Sequence, residues 1–237
     1  MAEFASRPEE IARVLRDDIL RGRYGPGERL PSERELAAHL DANRSSVREA
    51  LKKLEQLRLI EIRRGGGARV SPVDEASLDV LGHLLALDDG PDPVLVAQWL
   101  DVHELVLAGA VRLAVERASD DEVARARALL GRLADAELSD DDYLQASDAL
   151  AELISAASRN LVLRMVRSAL RSLFTTRWAP GPRRLRPPNE VLGPIARAID
   201  AALVERDAAA AEEGVRRLLR SGRERLLKSL EARAARR

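Results

Sequence analysis

The sequence contains no cysteine and few aromatic residues, and both absences limit what the chain can be. Without cysteine among its 237 residues, the protein has no disulfide bonds, thiolate metal ligands or cysteine nucleophile. Its three histidines are His39, His83 and His103, so chemistry that needs several imidazoles is poorly supplied. Phe, Trp and Tyr make up 3% of the chain, so the core must be built mainly from aliphatic side chains, which favours helices. We therefore expect a mainly α fold and no enzyme activity.

Long apolar runs and a net charge are also missing. No run of eighteen or more apolar residues occurs, and no charged start precedes an apolar segment. The sequence therefore predicts a cytoplasmic protein without a membrane partner. The 39 basic and 39 acidic residues balance, but residues 42–70 hold 8 basic against 3 acidic side chains. Such a stretch indicates either a phosphate-facing surface or a solvated face.

The N-terminal part predicts three short helices, each opened by a Ser that is followed three residues later by a Glu, the reciprocal capping pattern. The three pairs are Ser6 with Glu9, Ser32 with Glu35, and Ser46 with Glu49. A tight turn at Asp41–Asn43 makes the second and third helices a helix-turn-helix candidate. The strands predicted at Leu59–Ile62 and Ala68–Val70 flank a glycine-rich tip and form a wing.

The remaining residues predict helices only, because apolar side chains recur at helical spacing. The helices are expected near 75–87, 93–118, 120–136, 140–157, 161–174, 191–206 and 208–233. The predicted fold class is therefore mainly α, with an N-terminal winged helix-turn-helix and its small β-hairpin wing, followed by an all-α helical bundle. A linker at Ser71–Asp74 divides the chain into an expected DNA-binding domain, 1–72, and a helical domain, 73–237.

The start of the third helix offers side chains suited to DNA. A recognition helix enters the major groove with its N-terminus first, so its first turn must supply base and phosphate contacts. Arg can make a bidentate contact with guanine, and Ser hydroxyls suit phosphate oxygens. The expected DNA-binding residues are Arg34, Arg44, Ser45, Ser46 and Arg48, with Arg64 and Gly65 at the wing tip. Each of these alone would be explained as solvated surface or flexible hairpin, but their combination favours DNA binding.

Residues 24–70, YGPGERLPSERELAAHLDANRSSVREALKKLEQLRLIEIRRGGGARV, resemble the DNA-binding domain of GntR-type regulators almost without gaps. In that family the Pro-Ser-Glu-Arg element, the Asn-Arg-Ser-Ser-Val-Arg-Glu-Ala-Leu element and the glycine-tipped wing contact DNA. The resemblance therefore implies DNA contact by the same seven residues. It implies core positions for Leu51, Leu54 and Ile60.

The helical part is similar in length and helix count to the FCD ligand-binding domain of the FadR subfamily. The best stretches are 105–118, which ends in RLAVERA, and 145–163, QASDALAELISAASRNLVL. The resemblance implies an effector domain that dimerises and binds a small carboxylate, in many members through a metal held by one Asp and three His.

This sequence departs from that metal pattern. Asp148 stands at the Asp position, but Glu152, Ala196 and Leu218 stand where the three His are expected. Two carboxylates without imidazole would suit only a weak hard-cation site, so we expect no metal and no cofactor. The alternative for Asp148 and Glu152 is an ordinary exposed helix face. His103 stands where the subfamily has a carboxylate-binding Arg, and the effector-binding candidates are therefore His103, Asp148 and Glu152.

The sequence thus predicts a sequence-specific DNA-binding transcriptional regulator whose operator affinity is modulated by a small-molecule effector. The resemblance implies a carboxylate as that effector. We expect a homodimer on palindromic double-stranded operator DNA. Two alternatives stay open: a metal-independent sensor of a larger ligand such as an acyl-CoA, and an orphan regulator without an effector. An enzyme fused to a DNA-binding module is disfavoured, because none of the three lysines lies in a setting typical of a Schiff base.

Overall fold

The chain folds into two compact units, Met1–Gly90 and Pro91–Arg237. The computed structural model describes residues 6–63, 65–85, 87, 92–177 and 186–234. The first unit contains α1 (Arg7–Leu20), α2 (Glu33–His39), α3 (Arg44–Gln56), β1 (Ile60–Arg63), β2 (Gly67–Val70) and α4 (Asp79–Leu84). The strands pair antiparallel, with Ile60 opposite Val70 and Arg63 opposite Gly67. This is the predicted helix-turn-helix followed by a two-stranded wing.

The three N-terminal helices enclose an aliphatic core. Leu15 from α1, together with Val47 and Leu54 from α3, is buried in one cluster that also takes in Leu59 and Ile60 beside the wing. The core positions expected from the sequence, Leu51, Leu54 and Ile60, are all buried. Because α3 packs on α1 along its full apolar stripe, its opposite face and its first turn are left at the surface.

The start of α3 differs from the prediction. Its N-cap is Asn43, whose side chain accepts a hydrogen bond from the Ser46 N–H at 2.7 Å. The capping pair predicted at Ser46 and Glu49 is therefore wrong, and the Glu49 carboxylate accepts from Lys52 instead. Asn caps a helix as well as Ser does, so the sequence contained two competing starts three residues apart. The earlier start places Arg44 in the first turn.

The helix predicted at 75–87 is shorter than expected and lies in the first unit. The backbone forms a 3-10 turn at Val73–Glu75, becomes extended at Ala76, and only then enters α4. The Ser77 N–H donates to the Leu57 carbonyl oxygen at 2.9 Å, and Val80 is buried in the same cluster as the α1 and α3 side chains. These contacts attach the segment after the wing to the winged-helix core, so the compact units divide later than the junction expected at residue 72.

The second unit is a bundle of α5 (Pro93–Arg117), α6 (Asp120–Leu133), α7 (Asp140–Ala157), α8 (Leu161–Arg177), α9 (Asn189–Val204) and α10 (Ala208–Ala234). Each helix begins and ends within three residues of its predicted bounds. The central helix α5 packs against α7, α8 and α10, while α9 packs against α6 and α10. The predicted fold class is confirmed.

One glycine is required by helix packing. A Cβ atom at Gly214 of α10 would lie 2.5 Å from the Cγ1 atom of Ile199 on α9. Helix propensity alone would favour alanine at this position. The close approach of α9 and α10 therefore leaves no room for a side chain at position 214.

We expect Gly214→Ala to lower the free energy of unfolding by about 1–3 kcal/mol, because the added methyl group overpacks the α9–α10 contact. The matched control is Gly131→Ala on the exposed face of α6, where an added Cβ meets nothing within 4 Å. That change should raise stability by about 0.5–1 kcal/mol. Urea denaturation of both variants measures whether each change lowers or raises the free energy of unfolding. A stabilised Gly214→Ala protein would contradict the close α9–α10 contact.

Candidate DNA-binding and effector sites

A left-handed backbone conformation and two sets of hydrogen bonds fix the turn between α2 and α3. Asp41 adopts a left-handed backbone with φ of 47°, and the Ala42 N–H donates to the Ala37 carbonyl oxygen at 2.9 Å. The Arg7 guanidinium, at the start of α1, donates to the carbonyl oxygens of Leu40 and Asp41 at 2.6 and 3.0 Å. The direction in which α3 leaves the turn is thus fixed by local backbone geometry and by a contact from α1.

The first turn of α3 presents backbone and side-chain donors at the surface. The Asn43 cap uses the Ser46 N–H, while the N–H groups of Arg44 and Ser45 belong to the helix start, where no intrahelical acceptor exists. Arg44 and Ser45 are exposed and Ser46 is half-buried. Free N–H groups at the positive end of a helix dipole form an anion-binding site. The arrangement suits a phosphate oxygen at the helix start, beside a guanidinium.

The three helix-turn-helix arginines differ in their partners. Among the residues that the structure describes, no carboxylate forms a salt bridge with Arg34 or Arg44, both of which are exposed. Arg48 donates to both carboxylate oxygens of Glu33 on α2, at 3.0 and 2.8 Å. These hydrogen bonds to Arg48 lower the pKa of Glu33. Arg34 and Arg44 are therefore available to DNA, whereas Arg48 uses its Nε and Nη2 atoms on Glu33 and keeps its Nη1 donors for a further partner.

A basic residue that was not expected from the sequence, Arg29, lies beside the wing. Backbone pairing of residues 27–30 with β2 brings Arg29 opposite Arg69. A Cβ atom at Gly67 would lie 2.9 Å from Nε of Arg29, so the absence of a side chain there admits the guanidinium. Gly65, with φ of 74°, forms the turn at the wing tip, and Arg64 lies outside the described residues. The only sequence signal for Arg29 was its place beside the Pro-Ser-Glu-Arg element.

In the second unit, the candidate residues Asp148 and Glu152 surround a buried arginine. Arg167 of α8 donates to the Glu152 carboxylate at 2.5 Å and to the Asp148 carboxylate at 2.9 Å. It also donates to the Asp148 carbonyl oxygen, and Arg171 forms a salt bridge with Asp148 at 2.7 Å. The Arg167 side chain is 10% exposed, while those of Asp148 and Glu152 are 40% and 58% exposed. A buried cation is thus neutralised by two carboxylates that water still reaches.

His103 lies close to the same arginine. Its ring stacks on Trp99, with 5.2 Å between the ring centroids. Burial, and then the positive charge of Arg167, lower the pKa of His103 to about 4, so the imidazole is neutral at neutral pH. The three effector candidates therefore converge on Arg167, which the sequence reading missed. The sequence does contain a signal for this contact. Two arginines lie four residues apart on α8, and two carboxylates lie four residues apart on α7, which is the spacing of one helix face.

This donor set does not fit the metal that the FCD resemblance implies. The oxygen atoms of Asp148 and Glu152 that would face a metal ion already accept hydrogen bonds from Arg167, whose charge would repel a divalent cation. Ala196 and Leu218 offer no ligand atoms. Within the described ranges, no three His, Asp or Glu side chains are grouped to hold a metal ion.

The described bundle interior contains a small apolar cavity of about 40 Å³. Aliphatic side chains of α5, α6, α7 and α9 line it, among them Val111, Leu130, Leu153 and Ile199. A space of this size holds little more than a water molecule, and its walls offer water few hydrogen bonds. The cavity as it stands has no room for an acyl chain.

A winged helix-turn-helix with an exposed recognition helix, joined to a separate helical sensor bundle, defines a DNA-binding transcriptional regulator. A model of the bacterial regulatory proteins of the gntR family matches residues 8–70, and a model of the FCD domain matches residues 98–221. The chain belongs to the GntR family and carries an FCD effector-binding domain. Proteins of this family are regulators and not enzymes, and their operator affinity is modulated by a small-molecule effector.

Two relatives and one solved structure agree with this assignment. The galactonate operon transcriptional repressor of Escherichia coli is 30% identical over 171 residues, which cover 71% of this chain and 74% of that protein. The HTH-type transcriptional regulator Rv0494 of Mycobacterium tuberculosis is 31% identical over 95% of this chain and 92% of its own length. The structure of Listeria monocytogenes Lar has a TM-score of 0.55 at 14% identity and covers 95% of this chain and 99% of its own, a likeness of fold alone.

The depressed pKa of His103 predicts a pH dependence of stability. In the unfolded chain an imidazole titrates near 6.5, so on acidification the unfolded state binds a proton before the folded state does. The stability that the neutral His103 contributes is complete above about pH 6.5 and is lost as pH falls towards 4.

We expect the free energy of unfolding to fall by about 1 kcal/mol between pH 7.5 and 5.5 through this group. His103→Phe, which keeps a ring to stack on Trp99, should remove that part of the pH dependence. Urea denaturation at the two pH values, followed by circular dichroism, provides the comparison. Equal pH dependence in wild type and His103→Phe would show that His103 is not the responsible group.

Proposed function

We propose that α3 enters the major groove of operator DNA with its first turn leading, so that Arg44, Ser45 and Ser46 contact bases and phosphates. The observation that carries this proposal is the exposed guanidinium of Arg44 beside the free N–H groups of a capped helix start. Arg34 on α2 extends the same basic surface towards the DNA backbone. The wing, with Gly65 at its tip and Arg29 beside β2, contacts the sugar-phosphate strand or the minor groove, and Arg64, which precedes Gly65 in the sequence, is expected to take part.

The Glu33–Arg48 pair orients the Arg48 side chain for DNA contact. Glu33 occupies the Nε and Nη2 donors, which leaves the Nη1–Nη2 edge of the guanidinium for a base or a phosphate. The pair is at the surface, where an ion pair is worth little, so a base or phosphate can also replace Glu33 at small cost. Arg48 can therefore contact DNA with Glu33 still bound or after its release.

The regulator acts as a homodimer on a palindromic operator, each winged helix taking one half-site. A single recognition helix reads few base pairs, and helix-turn-helix proteins gain specificity by placing two helices on successive major grooves. The name of the galactonate operon repressor supports repression as the sign of regulation. Its place of action is the cytoplasm, where the DNA is.

The effector is a small carboxylate that is recognised without a metal. The buried Arg167 supplies the positive charge that the missing metal would have supplied, and the exposed Glu152 can be displaced from it by an incoming carboxylate. A guanidinium binds a carboxylate bidentately, which favours this ligand class. The apolar cavity between α5, α6, α7 and α9 has no room for an acyl chain, so a larger ligand would need another site.

Arg44→Ala should weaken binding to the operator by about 10–200-fold, the loss expected for one bidentate base contact. The operator is first selected from random-sequence duplexes by the wild-type protein. Fluorescence anisotropy then measures the dissociation constants. Arg132→Ala, which removes an exposed arginine from α6, is the matched control and should bind like the wild type. Unchanged affinity of a folded Arg44→Ala protein for the selected operator would refute the contact assignment.

A small carboxylate should raise the thermal unfolding midpoint of the wild-type protein. At about a hundred times the dissociation constant, binding adds about 2.7 kcal/mol of stability. Galactonate, other sugar acids and dicarboxylates form the panel, and the response should disappear in Arg167→Gln but persist in Arg125→Gln.

The same assay tests the alternatives. Zinc, nickel and manganese should leave the midpoint of chelator-treated protein unchanged. A metal-induced rise that is lost in Asp148→Asn would overturn metal-free recognition. No response to any carboxylate would favour the orphan regulator.

A further inference from the structure

A groove of about 280 Å³ lies between α7 and α8. Small-molecule pockets begin near about 300 Å³, so the groove is at the lower end of that range. Six side chains line it, namely Glu152 and Ser155 of α7 and Leu161, Arg164, Met165 and Ser168 of α8. The buried Arg167 does not line it, so the groove adjoins the arginine cluster without including it. We call this site the α7–α8 groove.

The groove contains a buried hydroxyl group that is not hydrogen-bonded. Ser155 is 1% exposed, and its Oγ atom has no hydrogen-bond partner among the described residues. Nearby on the same helix, the Ser158 hydroxyl donates to the Ser155 carbonyl oxygen, so a helical serine at this depth does normally find a partner. A buried polar group left unpaired costs free energy. The hydroxyl of Ser155 therefore indicates a place for a polar atom of a ligand.

Two opposite charges line the groove without meeting each other. Glu152 and Arg164 are both exposed, and within the described ranges no salt bridge joins them. The Glu152 Oε2 atom accepts from Arg167, but no described residue donates to its Oε1 atom. Arg164 forms no ion pair with any carboxylate that the structure describes. One wall thus offers a carboxylate oxygen, and the other offers a guanidinium.

These groups match a zwitterion that has an apolar side chain. An ammonium group carries three donors, which suits Glu152, and a carboxylate can accept two parallel hydrogen bonds from a guanidinium such as Arg164. Leu161 and Met165, which are exposed by 68% and 63%, offer apolar surface that a hydrocarbon group would remove from water. A free α-amino acid with an aliphatic or thioether side chain presents all three kinds of group in one small molecule.

Other small molecules satisfy fewer of these groups. A simple anion would meet Arg164 but would also face the Glu152 carboxylate, which repels it, and a simple cation would face the converse. A sugar acid has no apolar part to cover Leu161 and Met165. The volume equals that of about nine water molecules at about 30 Å³ each, which suits an amino acid better than a drug-sized ligand.

We propose that the α7–α8 groove binds a free α-amino acid with an aliphatic or thioether side chain. The ammonium group of the ligand donates to Glu152, its carboxylate accepts from Arg164, and the Ser155 hydroxyl gains a polar partner. The ligand side chain packs on Leu161 and Met165. The proposal goes beyond the proposed function, because it requires neither contact with Arg167 nor release of Glu152 from it.

Isothermal titration calorimetry of the full-length wild-type protein with L-leucine and L-methionine tests the ligand class. Both should bind. Leucinamide, which lacks the carboxylate, and 4-methylpentanoate, which lacks the ammonium group, should bind the groove at least about tenfold more weakly, because each loses a charge-assisted hydrogen bond. Absence of binding by both amino acids would overturn the proposal, as would an equal affinity for 4-methylpentanoate that Arg164→Gln abolishes.

Arg164→Gln should weaken leucine binding by at least about tenfold. The matched control is Arg132→Gln on α6, another exposed arginine, which should bind leucine like the wild type. Both side chains are at the surface, so neither change should prevent folding. Unchanged leucine affinity in Arg164→Gln would show that the ligand lies elsewhere.

Ser155→Ala distinguishes a ligand-binding hydroxyl from a structural one. Without ligand, the thermal unfolding midpoint should rise, because the change removes an unpaired buried hydroxyl. Leucine binding should nevertheless weaken by about three- to tenfold, the loss of one hydrogen bond. A structural hydroxyl would give a lower midpoint and an unchanged affinity, which would contradict its place in the site.

The carboxylate panel and Arg167→Gln separate this proposal from the proposed function. If leucine binds through Arg164 while no plain carboxylate raises the unfolding midpoint, the amino-acid site stands and carboxylate recognition at Arg167 fails. If carboxylates act through Arg167 but neither leucine nor methionine binds, the amino-acid site is wrong and the proposed function is unaffected.

Discussion

The second unit depends on the burial of α5, because no other described helix is as long and as apolar at once. With few aromatic rings and no cysteine, the core has only aliphatic contacts to hold it, and these accumulate along one helix that touches three others. The ion pairs of Glu104 with Arg216 and Arg220 fix the register between α5 and α10. The register is important because a close contact elsewhere on α10, at Gly214, leaves no space for a side chain.

The DNA-binding unit could be predicted from the sequence because its signals are local. Caps, apolar spacing and a glycine-rich hairpin each act within a few residues, and they agree with one another. One exception was the start of α3, where Asn43 and Ser46 are both good caps and only the structure decides between them. The Arg48–Glu33 pair was also beyond the sequence, because it joins two helices whose faces are set by the turn at Asp41.

The effector unit shows the limit of position-by-position reasoning. His103, Asp148 and Glu152 were selected because each stands at or near a family position, and all three lie around one group. That group is Arg167, a residue that the resemblance did not single out. If Arg167 takes the place of a metal, as proposed above, the positive charge comes from a different residue type on a different helix, which comparison of single positions does not find. The partners could be paired only when α7 and α8 were seen side by side.

The positions of these groups suggest how ligand binding would reach the DNA. Arg167 is buried at the inner side of α8, and His103 lies on the side of α5 opposite Leu105. Under the proposed function, a carboxylate that replaces Glu152 at Arg167 breaks one tie between α7 and α8, and any shift of α8 that followed would reach α5, against which α8 packs. In a two-fold dimer, a small rotation at the interface is doubled between the two copies, which changes the distance that two recognition helices can span. Allosteric control then requires no contact between effector and DNA-binding unit, only a ligand with unequal affinity for two dimer geometries.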